Sequence, residues 1–450
     1  MKRECALCPP ALCLLASLAL SAQQPPQPTD LPSHPFFIKQ TWVVGGTGPW
    51  DYLTIDPVAE RLYISHGHAV QVVDVKSGSL IGEISGLAEA HSIALDDSAQ
   101  FGYISDGAAG KVVAFDRRTL QTVATIESNP NPRALVFDPQ TKLLFAVRTD
   151  PAPATPTPAV PRTRPRPTTR PEPVHQPQDP HASSSVTVID TETQTALGQV
   201  LLSGTLGYAQ GDGRGQIFVN VTDRNQIVRL DAEAVATLLR KQPSGAANPA
   251  LAPQTTAPAS AAPGPAAPGP AAPGPAAPAS GPAKQSAPGI TVDWTQGYSS
   301  SQLRYFSLAA GCTDPKSLAI DGSHARVFVA CGSMKMAVLN AENGEVVAVL
   351  PTGPGVEGIG YDPGRSLIYA ANGGGEGNLT IISQDVTDTY SVIQSLPTRQ
   401  RARTLAVNSD TGQVYLVTDL LGMNLAQPGG IGTIQTNPVN GSFQVLVVGN

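Results

Sequence analysis

Hydrophobic and polar positions along this chain alternate in short runs, and the runs recur. A four-residue apolar core appears seven times, as LYIS (62–65), GYIS (102–105), LFAV (144–147), IFVN (217–220), VFVA (327–330), IYAA (368–371) and VYLV (414–417). Each core follows an Asp or Asn by five or six residues: Asp56, Asp96, Asp138, Asp212, Asp321, Asp362 and Asn408. The residues between (PVAER, DSAQF, GSHAR, PGRSL and their counterparts) are turn formers, so each unit predicts a β-hairpin. A third strand follows and ends in a polar residue, as in VQVVD to Asp74, VVAFD to Asp116 and MAVLN to Asn340, and a fourth follows that, as in LIGEIS and TVATIE. Four short strands repeating at about 40 residues predict propeller blades, which bury their faces only against neighbouring blades. The expected fold is all-β, a seven-bladed β-propeller of four-stranded antiparallel blades. The last unit stops one strand short after SFQVLVV, and FFIKQTWVV (36–44) is expected to supply the missing strand and close the ring.

Two intervals break the period. The segments at 150–184 and 242–290 are rich in Pro, Ala and Thr, with too few apolar side chains to offset the entropy of ordering them. Both are expected to be extended and without fixed structure. The first falls between the second and third strands of blade 3 and the second between the third and fourth strands of blade 4, which sends them out from opposite faces of the disc.

The N-terminus changes the picture of where the protein works. Residues 1–22 have the layout of a secretory signal, with Lys2 and Arg3 ahead of an apolar run from Ala11 to Leu20 and small residues at Ser21 and Ala22. The expected mature chain is periplasmic or secreted, begins near Gln23 with an unstructured stretch to residue 35, and continues as one domain over 36–450. No other segment approaches the roughly 20 apolar residues of a spanning helix. Cys5, Cys8 and Cys13 leave with the signal, so Cys312 and Cys331 remain as an even pair in an oxidising compartment and are expected to form a disulfide across blade 5. Removing Lys2, Arg3 and Glu4 takes 29 basic and 35 acidic side chains to 27 and 34, and the net charge from -6 to -7. That balance disfavours nucleic acid, whose affinity rests on Lys and Arg neutralising phosphates.

The units ID-P, LYIS and VQVVD, with VFVA and VYLV, resemble the YVTN-repeat family of propellers, the group that contains the YncE-like periplasmic proteins. The resemblance covers most of 36–450 outside the two insertions and implies the fold far more sharply than any activity. DNA binding has been associated with a YncE-like protein, and no motif for it can be placed on these residues.

Candidate chemistry gathers on one face, where the loops between second and third strands and the connections between blades open around the central channel. His66, His68 and His91 come from adjacent blades there with Asp106 nearby, a set suited to a divalent metal or to proton transfer, against the reading of hydrogen-bonding loop histidines. Arg133, Arg224, Arg401 and Arg403 map to the same rim and would suit a carboxylate or phosphate, against a reading as solvated or ion-paired arginines. Gly353, Gly355 and Gly358 satisfy G-x-G-x-x-G, but a strand follows where a nucleotide site needs a helix. No G-x-S-x-G elbow, phosphate loop or C-x-x-C-H site occurs. The expected function is therefore non-catalytic binding of a small ligand or an envelope protein by a monomeric propeller, through its loop face and channel. The alternative is a metal-assisted lactonase- or lyase-like enzyme built on His66, His68 and His91.

Overall fold

The computed structural model describes residues 34–98, 100–128, 130–149, 183–241, 290–293, 303–308, 311–385, 388–424 and 435–450. The expected signal at 1–22, most of the 23–35 segment and nearly all of both Pro-rich insertions lie outside them. Seven antiparallel sheets follow one another along the chain, and their first strands neighbour each other around the ring. Blade 1 comprises Trp50–Asp56, Arg61–His66, Ala69–Asp74 and Leu80–Ile84 from the channel outward. Blades 2 to 6 repeat that order. In blade 7 the outermost strand is Phe37–Val43, paired antiparallel with the C-terminal strand Gln444–Gly449, so the two ends of the chain close the ring.

The repeat is built around an aromatic residue. The second position of each apolar core holds Tyr63, Tyr103, Phe145, Phe218, Phe328, Tyr369 or Tyr415, and none is more than 1% exposed. Each second strand lies mid-sheet and mid-ring, so both of its faces are covered, which is why these cores read as continuous apolar runs rather than strict alternation. The polar residue before each core explains the turn. Asp56 accepts from the Ala59 N–H, Asp138 from Thr141, Asp362 from Gly364 and Asn408 from Asp410, closing the first hairpin with a side chain that mimics a backbone turn. The third-strand residues Asp74, Asp116, Asp190 and Asn340 cap the next turn in the same way. Some carboxylates also bridge blades: Asp56 pairs with Arg117, and Asp138 accepts from the Gly215 N–H.

Three elements depart from the four-strand pattern. After the third strand of blade 4, the helix Ala232–Lys241 begins with Asp231 accepting from the Ala234 N–H, and it lays Ala232, Val235, Ala236 and Leu239 into the core shared by blades 3 and 4. The strand Ile290–Asp293 then pairs parallel with Thr195–Ser203, the outermost strand of blade 3, as a fifth strand, so the second insertion's return is ordered at residue 290. In blade 7, between the second strand and the C-terminal strand, Leu421–Asn424 and Gln435–Pro438 form a small hairpin. The first insertion leaves the second strand of blade 3 at Arg148 and re-enters at Ser183, two residues before its expected end. The attachment points of the two insertions lie on opposite faces, because second-to-third and third-to-fourth connections alternate across an antiparallel blade. Among the described residues no helix is long and apolar enough to cross a membrane.

Candidate site at the upper channel mouth

One position per blade defines this face. The first strands of blades 1 to 6 each carry an irregularity near their start: pairing begins at Trp50↔His66, Ala90↔Asp106, Pro132↔Arg148, Leu206↔Val221, Pro315↔Cys331 and Val356↔Asn372, and the register then shifts. Such a bulge re-aims the side chains around it. The residues just inside it are Asp51, His91, Arg133, Gly207, Lys316 and Glu357, and Arg403 holds the corresponding place in blade 7. Charged residues make up 14% of the chain but five of these seven, so the position is set apart as a polar mouth.

The contacts show that these side chains converge. Asp51 of blade 1 lies 2.8 Å from His91 Nδ1 of blade 2 and 3.7 Å from the Arg133 guanidinium of blade 3. Glu357 pairs with Arg403 at 2.8 Å, and Lys316 with Asp314 at 2.7 Å. Below them Tyr52 of blade 1 meets Tyr208 of blade 4, with ring centroids 5.0 Å apart. Those blades are not neighbours on the ring, so the pair spans the channel and narrows it. Burial pushes both phenols up, Tyr208 to about 12, and in Tyr52 the Asp51 carboxylate adds to the effect. Both phenols therefore stay protonated through the physiological range.

A second position explains the residues that do not belong to the mouth. In four blades the last residue of the second strand ties that strand to the incoming connection between blades. Asp106 accepts from the Ala88 and Glu89 N–H groups, and Thr418 donates to the Gln400 carbonyl. In blade 5 the same position is Cys331, bonded to Cys312 of the preceding connection. His66 occupies it in blade 1, with Nδ1 2.9 Å from Gln71 Oε1, Nε2 3.2 Å from the Gly48 carbonyl and its ring against Phe443.

The expected histidine cluster is thereby corrected. His66 is 5% exposed and spent on its own blade, His68 donates from Nδ1 to the Ala88 carbonyl, and only His91 faces the mouth. Among the described residues no three His, Cys, Asp or Glu side chains are arranged to hold a metal ion. Of the arginines, Arg133 and Arg403 reach the mouth. Arg401 instead lies 4.6 Å over the Trp50 ring and 3.4 Å from Asp419, and Arg224 sits in the 3-10 turn Thr222–Arg224 of blade 4. Asp51, Lys316, Glu357, Tyr52 and Tyr208 escape a search for unusual residues in loops. Their signal is positional: each mouth residue precedes its repeat Asp or Asn by five, and Tyr52 and Tyr208 precede theirs by four.

Beside the ring, between blades 2 and 3, an open pocket of about 580 Å³ is lined by Glu89, the Gly107–Gly110 turn, Glu127, Asn131 and Arg133. Its volume is enough for a small molecule.

The fold is that of a seven-bladed β-propeller. Solved structures similar to this chain include U3-55K, with a TM-score of 0.56 and 8% identity over 91% of this chain and 98% of that one. The WD40 repeats of RRP9 give 0.56 and 8% over 92% and 97%, and a chain of the Mitotic Checkpoint Complex gives 0.53 and 12% over 91% and 96%. At such identities the likeness is one of fold. No family model and no curated protein matches the sequence.

Proposed function

We propose that this chain is a binding propeller that holds a ligand or partner at its upper mouth. The observation that carries this is the ring of Asp51, His91, Arg133, Lys316, Glu357 and Arg403 above a channel narrowed by two tyrosines. Asp51 and Arg133 bring charges of opposite sign together from non-adjacent blades, and Arg133, Lys316, Glu357 and Arg403 are each about 40% exposed, within reach of a charged ligand. The blade cores LYIS, VFVA and VYLV support placing it among YVTN-repeat, YncE-like propellers, and the layout of residues 1–22 supports export to a periplasmic or extracellular space.

A photo-reactive residue placed at Lys316, on the mouth, should give adducts in the protein's own cells. One placed at Val58, which is 91% exposed in a turn of the opposite face, should give none. Adducts at Val58 alone, or equal yields at both, would overturn the reading. Export is checked by N-terminal sequencing of the native protein: a start near Gln23 is expected, and a retained Met1 on the folded pool contradicts it.

A further inference from the structure

On the face opposite the mouth, at the seam between blades 4 and 5, two arginines stand in an arrangement that the fold alone does not ask for. Arg229, in the third strand of blade 4, Gln226–Asp231, is the direct register partner of Arg304 in the fourth strand, Leu303–Ser307. Like charges placed opposite each other on neighbouring strands work against the pairing. Both side chains cross to blade 5 and meet there on a single atom. Arg229 Nη1 donates to the Ala341 and Glu342 carbonyls at 3.1 and 3.3 Å, and Arg304 Nη1 donates to the same Glu342 carbonyl at 3.0 Å. Two guanidinium groups that share one oxygen are close enough for one small anion to touch both.

Neither charge is neutralised. Acidic side chains outnumber basic ones in this chain, 35 to 29, yet among the described residues the hydrogen-bond partners of this pair are neutral carbonyls, not carboxylates. Burial, and after it the Arg304 charge, pushes the Arg229 guanidinium below its ordinary value, and the more distant Asp231, Asp212 and Glu342 do not reverse that direction. Arg326, paired with Asp388, moves the other way. Arg229 also lies 5.9 Å over the Phe306 ring, which braces it from below, while Arg304 is exposed. A third arginine, Arg214 of the first hairpin turn of blade 4, reaches the same seam and again ends on a carbonyl, that of Gly322, at 3.0 Å. The seam is thus an edge of cations set in place by backbone oxygens.

We propose that Arg229 and Arg304 form a phosphate site at this seam, taking inorganic phosphate or a phosphate monoester. The Ala341 and Glu342 carbonyls hold one nitrogen of each guanidinium, which sets the two forks without filling them. Planar forks arriving from two adjacent strands can take different edges of a tetrahedral group, whereas a carboxylate offers its two oxygens to a single fork. Two positive charges also match a dianion and relieve the opposition between the facing strands. Because Arg304 is exposed, the remainder of an esterified ligand stays in solvent and the site reads the phosphate alone. The site lies on the face opposite the mouth and stands independently of the binding reading above.

The test is calorimetric titration of the full chain, at low ionic strength and a pH where phosphate is mostly doubly charged, with inorganic phosphate and glycerol 3-phosphate set against dimethyl phosphate and acetate. The two dianions should bind, and the singly charged diester and acetate should bind at least about tenfold more weakly. Tighter binding of glycerol 3-phosphate than of phosphate would mark an esterified ligand and the reverse would mark free phosphate, and either order supports the site. Arg304→Gln should weaken phosphate binding by about tenfold or more. In phosphate-free buffer it should melt no lower than the wild type, because it removes a like charge facing Arg229; a pair that only braces the seam predicts unchanged affinity and a lower melt, and the affinity decides if the two readouts disagree. Arg118→Gln, at an exposed arginine in a turn of blade 2 on the same face, should leave phosphate binding as it was. Equal binding of acetate or the diester, no heat from phosphate in the millimolar range, unchanged affinity in Arg304→Gln, or equal losses in the two variants would each overturn the proposal.

Discussion

At the scale of single residues, the chain uses the same few positions in every blade for different chemistry. The Asp that closes each first hairpin is the clearest case. Asp321 is 1% exposed, and burial alone would raise its carboxyl. Hydrogen bonds from Ser323, His324 and Gln384 outweigh that and hold it at about 2, against an ordinary value of 3.8. Its folded-state value is depressed, so the stability it contributes is present above about pH 4 and is lost as pH falls through about 2. Asp321→Asn should therefore give a melting temperature that changes less between those two pH values than the wild type's. The turn itself should survive, since Asn408 closes the same hairpin in blade 7. Identical acid sensitivity in the two proteins would contradict this. The same positional logic separates the mouth from its supports. Asp106 and His66 stand where Cys331 and Thr418 stand in other blades, at the tie between a second strand and the incoming connection. Residue type alone marks them as ligands, and only the register reveals their structural role. Asp51 and Glu357 are the converse, ordinary residues in type that become notable through their place.

At the scale of the element, the blade is a hairpin repeat fastened by one buried aromatic ring and two side-chain-capped turns. Phe328, 0% exposed, packs against Tyr361 and Tyr390 of the next blade with centroids 5.2 and 6.0 Å away. Truncating such a ring removes its transfer free energy and leaves a cavity, so Phe328→Ala should lower the unfolding free energy by about 3–5 kcal/mol in urea titration. A loss below about 1 kcal/mol would mean that neighbouring blades collapse into the gap. The helix Ala232–Lys241 is an element that the strand repeat conceals. Its signals are in the sequence, with Asp231 as the cap and apolar residues at 232, 235, 236 and 239, a helical spacing, but they directly follow a third strand where a turn to the fourth is expected. Asp231→Ala should cost about 1 kcal/mol through the lost cap. Seven cores, their hairpins and the closing strand were legible because each depends on local alternation and turn chemistry. The parallel pairing of Ile290–Asp293 with blade 3 was not, because it joins residues about 90 apart and no local pattern encodes the partner.

At the scale of the whole molecule, closure is what makes the mouth a single site. Phe37–Val43 pairs with Gln444–Gly449, Trp42 packs on Tyr415, and Phe36 meets Tyr369 of blade 6. Removing residues 34–44 would leave blade 7 with three strands and an open edge. The expected result is a lower melting temperature and association on gel filtration, whereas an unchanged monomeric melt would show that the ring does not rely on this strand. A closed ring holds Asp51, His91 and Arg133, which come from three blades, at fixed separations, and a loosened ring cannot. Hydrogen exchange of the full chain, alone and in its native extract, tests the central claim most directly. Slowed exchange is expected in residues 88–92, 107–111, 131–134 and 402–404 at the mouth, with the turns at 57–60 and 363–366 on the opposite face unchanged. Protection confined to those opposite turns, with the mouth unaffected, would contradict it.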